Sequence, residues 1–338
     1  MKILILKPSS LGDVVQALPV LRLLKLNNPA HEISWWLSSE LLPLLQNDPD
    51  LHEIIPFDRQ CWALPRCWRK HFDAIRSMRA KAFDWVIDLQ GLARSGIFAW
   101  LAHGNLTIGI DDHREGARAF YDLLVPRSNF HSHAVDWYLE VLRALNVPVH
   151  WNFEWLPVHP EAAASVRTKW QAGQSRWVLM IPGARWPTKR WPLESYQTLV
   201  RLILSHSANL KVAILGTRAE ASLGDAIARI DPRRCLDLTG RTSLPEMVEW
   251  IRLSDLVVCN DTGPMHIAAA LQKPVVAIFG PTEPLRTGPY RQSHRTIQAT
   301  LPCVPCFKAK CTNLRTMECL QVISASTVFQ QVQQELSG

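Results

Sequence analysis

Signatures of several common enzyme classes are missing from this chain of 338 residues. There is no Gly-x-Gly-x-x-Gly fingerprint and no Gly-x-x-x-x-Gly-Lys-Ser/Thr loop, so the sequence favours neither dinucleotide redox chemistry nor P-loop phosphoryl transfer. A Gly-x-Ser-x-Gly elbow is also absent, which disfavours the serine chemistry of α/β-hydrolases. No apolar run reaches the roughly 20 residues of a membrane-spanning helix.

The chain is basic, and its charge narrows the choice of partners. A formal charge of +7 and a pI of about 9.1 favour anions at the surface. No nucleic-acid-binding motif is present and the basic residues do not form a single arm, so we expect no nucleic-acid partner. Nucleotide sugars and acidic lipid headgroups remain as candidate anionic partners. The apolar segment at the start is too short for a signal peptide, and we therefore expect a cytosolic protein.

Strand-like and helix-like patterns alternate along the chain. Ile3 to Leu6 is a short apolar run, residues 9–13 form a polar turn, and residues 14–25 show helical periodicity. After residue 160 the same alternation recurs several times, which predicts a doubly wound α/β domain. The segment 146–160 carries three prolines and little periodicity, so we place the domain boundary there. The predicted units are residues 1–150, residues 160–322, and a last helix at 323–338 that packs back on the first domain.

Polar residues follow several predicted strands of the second half. The apolar run that ends near Val258 leads into Asp261-Thr262-Gly263, a turn that caps a helix and offers free N–H groups to phosphate. Two other strand ends add cations, hydroxyls and a carboxylate: Thr188, Lys189, Arg190 and Glu220. With His266, these loops predict a pocket for a nucleotide diphosphate. Surface solvation of the two cations and a helix-capping role for Glu220 are the simpler alternatives.

Two features of the first half admit a structural and a functional interpretation. Asp13 lies where a helix begins, and it is either a helix cap or a general base at the end of a strand. Residues 66–81 are basic and have helical spacing, which is typical of a solvated amphipathic helix. The same residues could grip a phosphorylated or carboxylated acceptor near a membrane surface.

Four of the eight cysteines lie together near the end of the chain. Cys303 and Cys306 are separated by two residues, and Cys311 and Cys319 follow. In a cytosolic protein this spacing is typical of tetrahedral zinc, although it is equally compatible with reduced thiols. We expect no catalytic role for the segment, because it follows the core of the fold.

Several motifs together resemble the lipopolysaccharide heptosyltransferases, a two-domain family of GT-B architecture, over nearly the whole chain. The motifs are Lys7-Pro8-Ser9-Ser10-Leu11-Gly12-Asp13-Val14-Val15, Asp88-Leu89-Gln90-Gly91-Leu92, Pro182-Gly183-Ala184 with Lys189-Arg190-Trp191, Asn260-Asp261-Thr262-Gly263-Pro264-Met265-His266, and Phe279-Gly280-Pro281-Thr282. The Asp88 motif and Arg114-Glu115-Gly116-Ala117 look most like the type I enzyme or a close paralogue.

The resemblance implies an inverting transfer of L-glycero-D-manno-heptose from its ADP-activated donor to a Kdo–lipid A acceptor. It implies that the first domain binds the acceptor, that Asp13 is the general base, and that the second domain binds the nucleotide sugar. Its implied donor contacts are Thr188, Lys189, Glu220, Thr242, Asp261, Thr262, Gly263 and His266, and its implied acceptor contacts are Arg66, Arg69, Lys70 and Arg114. No metal is then required for catalysis, because Lys189 and the N–H groups neutralise the diphosphate.

A monomer that works at the inner membrane surface is the expected form. The alternatives are a family member that uses another nucleotide sugar or adds a later heptose, and a binder of sugar nucleotides without catalysis. The four cysteines, Cys303, Cys306, Cys311 and Cys319, are not required by the resemblance to the type I enzyme.

Overall fold

The computed structural model describes residues 1–58, 68–112 and 115–337. The chain divides into two compact units, Met1–Pro157 and Val158–Gly338. This division falls inside the proline-containing segment 146–160 in which the sequence places the domain boundary. Each unit has its own parallel sheet and its own core, and each is described by itself below.

The first unit contains a six-stranded parallel sheet in the order β3-β2-β1-β4-β5-β6. The chain moves outward from β1 to β3, returns to the other side of β1, and moves outward again from β4 to β6. The order therefore reverses between β1 and β4, and a ligand crevice is expected beyond the carboxyl ends of these two strands. The strands are β1 Lys2–Leu6, β2 Glu32–Ser38, β3 Glu53–Phe57, β4 Trp85–Asp88, β5 Leu106–Asp111 and β6 Leu123–Pro126. The helices are α1 Leu11–Asn27, α2 Leu42–Leu45, α3 Trp68–Ala80, α4 Ala93–Ala102 and α5 Ala134–Ala144.

Helix α1 is apolar on almost all sides, and almost all of its residues are buried. Gly12 and every residue from Val14 to Leu24 are buried, and the helix packs against α5. Arg22 is buried with them and forms ion pairs with Asp48 and Asp50. An apolar helix of this kind belongs to the core of the unit. None of the helices in the described parts of the chain combines the length and the apolarity needed to cross a bilayer.

The second unit repeats the doubly wound plan, with its sheet in the order β12-β11-β10-β7-β8-β9. Here the order reverses between β7 and β10, whose register pairs Val178 with Leu256 and Ile181 with Cys259. The strands are β7 Arg176–Ile181, β8 Leu210–Ile214, β9 Cys235–Asp237, β10 Leu256–Asn260, β11 Val275–Phe279 and β12 Thr296–Gln298. The helices are α6 Pro160–Trp170, α7 Leu193–His206, α8 Ala221–Ala228, α9 Leu244–Leu253, α10 Gly263–Ala270, α11 Pro284–Thr287, α12 Glu318–Gln321 and α13 Ala325–Ser337.

Helix α13 corrects one expectation from the sequence. The segment 323–338 was expected to pack back on the first domain, but α13 packs against α7 in the second unit. Its Val328 and Val332 are fully buried in the core that contains Val178 and Met180. The periodicity of a segment shows that it has an apolar face, but it does not show which surface covers that face.

A charge placed on the buried face of α13 is therefore expected to destabilise the second unit. Val332→Asp should lower the free energy of unfolding by more than about 3 kcal/mol, because a carboxylate would be buried without a partner. The matched control is Gln333→Asp, one residue further along on the exposed face of the helix. Hydrogen exchange of β10 and β11 measures the loss directly. Equal exchange rates in the two variants would contradict this packing.

Candidate active site

A cation and a carboxylate meet at the carboxyl end of the second sheet. The side chain of Lys189 follows β7, and its Nζ lies 2.5 Å from Oδ2 of Asp261, which follows β10. Thr282, beyond β11, donates its hydroxyl to the same oxygen at 2.6 Å. These three strands are neighbours at the point where the strand order reverses. The chain therefore places a partly exposed ammonium group at the position where this fold class binds ligands.

Asn260 ties the loops of this cluster together. Its side chain is fully buried; Oδ1 accepts a hydrogen bond from the Trp191 amide at 3.1 Å, and Nδ2 donates to the Pro182 carbonyl at 2.8 Å. Both partners belong to the chain between β7 and α7, so Asn260 fixes the loop that carries Lys189. Asn260 and Thr282 were not among the predicted site residues. The sequence signal that could have identified both residues is the presence of a polar residue at or just after the end of an apolar strand.

Helix α10 begins directly beside the Lys189–Asp261 pair. Thr262 is its N-cap residue and makes no side-chain capping hydrogen bond, and Gly263 is its first residue. The first amides of a helix have no partner within the helix and face outward at the positive end of the helix dipole. Together with Lys189 they form an arrangement suited to a diphosphate. His266 lies one turn into α10 and is buried.

Glu220 lies between the loops that follow β7 and β8. Its Oε2 accepts hydrogen bonds from the Thr217 amide at 2.7 Å and from the Thr217 hydroxyl at 3.0 Å. A Cβ atom added to Gly183 would lie only 1.8 Å from Oε1 of Glu220. Gly183 therefore allows the carboxylate to lie against the end of β7. Thr242 is half-buried and directly precedes Ser243, the N-cap residue of α9.

The contact between Gly183 and Glu220 leads to a testable expectation. Gly183→Ala should displace the carboxylate of Glu220, because real Cβ atoms do not approach another heavy atom at 1.8 Å. We expect a loss of stability below the roughly 1–3 kcal/mol usual for overpacking, because the atoms that must shift are the end of a flexible side chain. ADP affinity should fall by about tenfold or more in calorimetry. Gly173→Ala is the matched control, since its Cβ would meet no atom within 4 Å. Unchanged ADP affinity in Gly183→Ala would contradict a role for Glu220 in binding the nucleotide.

In the first unit, Asp13 lies in the first turn of α1 beyond the end of β1. Its Oδ2 accepts hydrogen bonds from the Ser10 amide at 2.9 Å and from the Ser10 hydroxyl at 2.6 Å. This is the carboxylate half of a capping box, so the structural role weighed in the sequence is present. The side chain is half-buried. A carboxylate with a fixed orientation at the end of a central strand is also suited to accept a proton.

Lys7 is a buried cation that sequence reasoning missed. Its Nζ donates to the Leu89 carbonyl at 2.8 Å and lies 4.9 Å from the centre of the Tyr138 ring. Burial alone would lower the pKa of Lys7, but Tyr138, Asp13 and Asp88 raise it above its ordinary value. Lys7 therefore remains charged and acts electrostatically on Asp13. Lys7 lies directly after β1 and before the polar turn of residues 9–13, where no periodic signal marks a buried cation.

Asp88 ends β4 and holds the turn that follows. Its carboxylate accepts from the Tyr121 hydroxyl at 2.7 Å and from the Gln90 amide at 2.7 Å. Gly91 in this turn has a φ of +69°, a conformation that glycine adopts without strain. Burial raises the pKa of Asp88. Asp88 therefore shapes the edge of the crevice by fixing the backbone.

Only part of the predicted acceptor set can be placed. Arg69 is exposed on α3, the helix formed by the basic stretch. Lys70 belongs to the same helix, but its side chain lies outside the described part of the chain, as do Arg66 and Arg114. The role of these four residues in binding an acceptor stays a prediction.

Thr188 and the four cysteines meet in the second unit. Thr188 is buried, and its hydroxyl donates a hydrogen bond to the Lys308 carbonyl at 2.9 Å. The sequence predicted that Thr188 contacts the nucleotide sugar, whereas in the structure its hydroxyl is bonded to the segment that carries the four cysteines. Burial and the nearby thiols of the other three cysteines raise the pKa of Cys319. No group of three or more His, Cys, Asp or Glu side chains within the described residues is already arranged as a metal site.

Two doubly wound parallel domains, one with polar strand ends suited to a diphosphate, have the architecture of the GT-B glycosyltransferases. Residues 71–316 match the model of glycosyltransferase family 9 (heptosyltransferase). The chain belongs to this family and is a glycosyltransferase, which confirms the resemblance, the fold class and the enzyme class predicted from the sequence motifs.

Individual relatives cover most of the chain. Lipopolysaccharide heptosyltransferase 1 of Pseudomonas aeruginosa is 27% identical over 334 residues, covering 94% of this chain and 89% of that protein. Lipopolysaccharide heptosyltransferase 2 of Salmonella typhimurium is 28% identical over 316 residues, covering 88% of each. The solved structure of E. coli ADP-heptose lps heptosyltransferase II is similar with a TM-score of 0.79 at 23% identity, over 100% of this chain and 99% of that one. Type 1 and type 2 enzymes are thus about equally similar to this chain.

Proposed function

We propose that the protein transfers heptose from ADP-L-glycero-D-manno-heptose to the Kdo–lipid A inner core of lipopolysaccharide, with inversion at the anomeric carbon. Membership of the heptosyltransferase family supports the type of transfer. The names of its relatives support lipopolysaccharide as the product and ADP-heptose as the donor. The observation that carries the proposal is the Lys189–Asp261 pair beside the first turn of α10, where a diphosphate would be received.

The proposed step is a single displacement. The acceptor hydroxyl oxygen forms a bond to the anomeric carbon while the bond from that carbon to the diphosphate oxygen breaks. Asp13 accepts the hydroxyl proton, and ADP leaves with the electron pair of the broken bond. Attack from the side opposite to the leaving group inverts the anomeric carbon. Lys7 keeps a positive charge that interacts with the carboxylate of Asp13.

Lys189 stabilises the leaving group in this mechanism. Its ammonium group would exchange part of its contact with Asp261 for a contact with the diphosphate oxygens. The amides of Thr262 and Gly263 would donate hydrogen bonds to the same oxygens. These groups supply the positive charge that the departing ADP requires, so the proposal includes no catalytic metal. Asp261 and His266 would then face the sugar and phosphate. Glu220 would accept hydrogen bonds from the ribose hydroxyls, and Thr242 would lie near the adenine.

The acceptor carries carboxylate and phosphate groups, and the basic character of the chain suits it. Arg69 and Lys70 on α3, together with Arg66 and Arg114, are the proposed contacts. Electrostatic attraction of this kind would bring the protein to the anionic surface of the inner membrane from the cytoplasmic side. We propose that it acts there as a monomer.

A matrix of donors and acceptors tests the proposal. ADP-heptose, GDP-sugars and UDP-sugars are each offered with Kdo–lipid A and with Kdo–lipid A that already carries one heptose. The proposal expects transfer from ADP-heptose to Kdo–lipid A. Transfer only to the heptosylated acceptor would favour the type 2 activity, a candidate because both types are about equally similar to the chain. Binding of ADP-heptose without any transfer would identify a sugar-nucleotide binder.

A further inference from the structure

Four cysteine side chains from one short segment line a single cavity in the second unit. Cys303, Cys306, Cys311 and Cys319 surround a cavity of about 60 Å³ together with Thr188 and Lys308. All four are half-buried, and none of them forms a disulfide. This accessible volume exceeds the roughly 10–15 Å³ that one water molecule needs, so there is room for an ion.

The backbone of the segment turns so that separate parts of it reach the same cavity. Phe307, directly after Cys306, has a φ of +55°, and its amide donates to the Pro281 carbonyl at 2.8 Å. Met317, two residues before Cys319, also has a φ of +55° and precedes α12. These left-handed positions reverse the chain on either side of Cys311. A non-glycine residue adopts them only where the surrounding structure compensates for the strain.

One sulfur atom already accepts a hydrogen bond from the backbone. The Met317 amide donates to Sγ of Cys311 at 3.3 Å. A donor of this kind stabilises a thiolate more than a thiol, because the charged sulfur is the stronger acceptor. Lys308 lines the same cavity and adds a positive charge. A divalent ion held by four thiolates carries a net charge of about −2, which a neighbouring ammonium group would partly offset.

We propose that Cys303, Cys306, Cys311 and Cys319 bind one zinc ion as four thiolates. Each thiol that joins the ion releases its proton to solvent, and no oxidant or reductant is involved. The four side chains are not yet arranged as a finished site in the described residues, so the ion draws them together inside the cavity. Four thiolate ligands close the coordination sphere of zinc, and the ion is structural rather than catalytic.

The position of the cavity gives the ion a further role, one that rests on the proposed function. The cysteine segment is joined to the Lys189 loop by the hydrogen bond from Thr188 to Lys308, and to the Thr282 loop by the one from Phe307 to Pro281. Gln298 holds the second loop from another side by donating to the Gly280 and Thr282 carbonyls. The ion therefore braces the loops that receive the diphosphate of the donor.

Metal analysis of the purified full-length protein is the first test. We expect about one zinc per chain in the unaltered protein and in Cys235→Ala, a matched control whose sulfur is buried in β9 and does not line the cavity. Cys303→Ser and Cys319→Ser should each lose most of the zinc. Cobalt(II) added to the chelated unaltered protein should give the visible absorption of a tetrahedral thiolate site. That measurement needs no variant and holds even if the serine variants fold poorly.

The outcomes that overturn the proposal are equally direct. Zinc far below one per chain in protein grown with ample metal, no cobalt spectrum, or a disulfide between two of the four cysteines would each exclude the site. Calorimetry with ADP tests the bracing role, with an expected tenfold or greater loss of affinity on chelation. If the zinc-loaded protein binds no ADP at all, the proposed function fails while the metal site stands. If chelation leaves ADP affinity unchanged, the bracing role fails.

Discussion

Asp13→Asn is expected to reduce heptose transfer by about 10²–10⁴-fold, the usual contribution of a positioned general base. The substitution keeps the size of the side chain and leaves an amide oxygen that can still accept from the Ser10 amide, as the carboxylate does at 2.9 Å. What it removes is the capacity to take a proton from the acceptor hydroxyl. Affinity for ADP should be retained, because the proposed nucleotide contacts belong to the second unit. Initial rates with ADP-heptose and direct ADP binding, measured on the same preparation, check both expectations.

The capping role of Asp13 requires a control of its own. Glu246 occupies the same position in the capping box of α9, where it accepts from the Ser243 amide at 2.8 Å. Glu246→Gln therefore measures the effect of the same chemical change in a cap with no proposed catalytic role. We expect it to shift the melting temperature by a similar amount and to leave transfer nearly unchanged. Transfer by Asp13→Asn at a rate close to that of Glu246→Gln would mean that Asp13 is only a cap.

The fold could be read from the sequence wherever an apolar run had clear ends. The apolar run from Ile3 to Leu6 lies within β1, and the helical periodicity of residues 14–25 lies within α1. The edge strands β6 and β12 were missed, because they have four and three residues and are largely half-buried. Helix α6 was also missed, since Val166 is its only buried residue and its apolar face is correspondingly weak.

The candidate site shows a sharper limit. Motifs and strand ends identified Lys189 and Asp261 separately, but their ion pair joins residues 72 positions apart and exists only after the sheet has formed. The same holds for Lys7 and Leu89, which are 82 positions apart. Thr188 shows the converse, because its place in a polar turn suggested a donor contact while the folded chain directs its hydroxyl to Lys308. Contacts between side chains at neighbouring strand ends depend on the order of the strands in the sheet. The local sequence pattern around each residue does not reveal that order.

Lys189→Met is expected to reduce transfer by about 10²–10³-fold, the usual effect of removing one group that stabilises a developing negative charge. ADP affinity should fall as well, because the ground state already carries the diphosphate. The substitution also removes the cation beside the buried carboxylate of Asp261, so we expect a loss of about 2 kcal/mol of stability. This is less than the roughly 3–5 kcal/mol of a fully buried pair, since 18% of the Lys189 side chain is exposed.

A double variant separates the loss of stability from the loss of chemistry. Asp261→Asn, added to Lys189→Met, removes the uncompensated charge and should recover most of the stability, while the Thr282 hydroxyl can still donate to the amide oxygen. Transfer should remain low, because the leaving group still lacks its cation. Arg176→Met is the matched control, since it breaks an ion pair with Asp255 at the opposite end of the same strand, β7. Recovery of transfer in parallel with stability would show that Lys189 supports the fold rather than the departure of ADP.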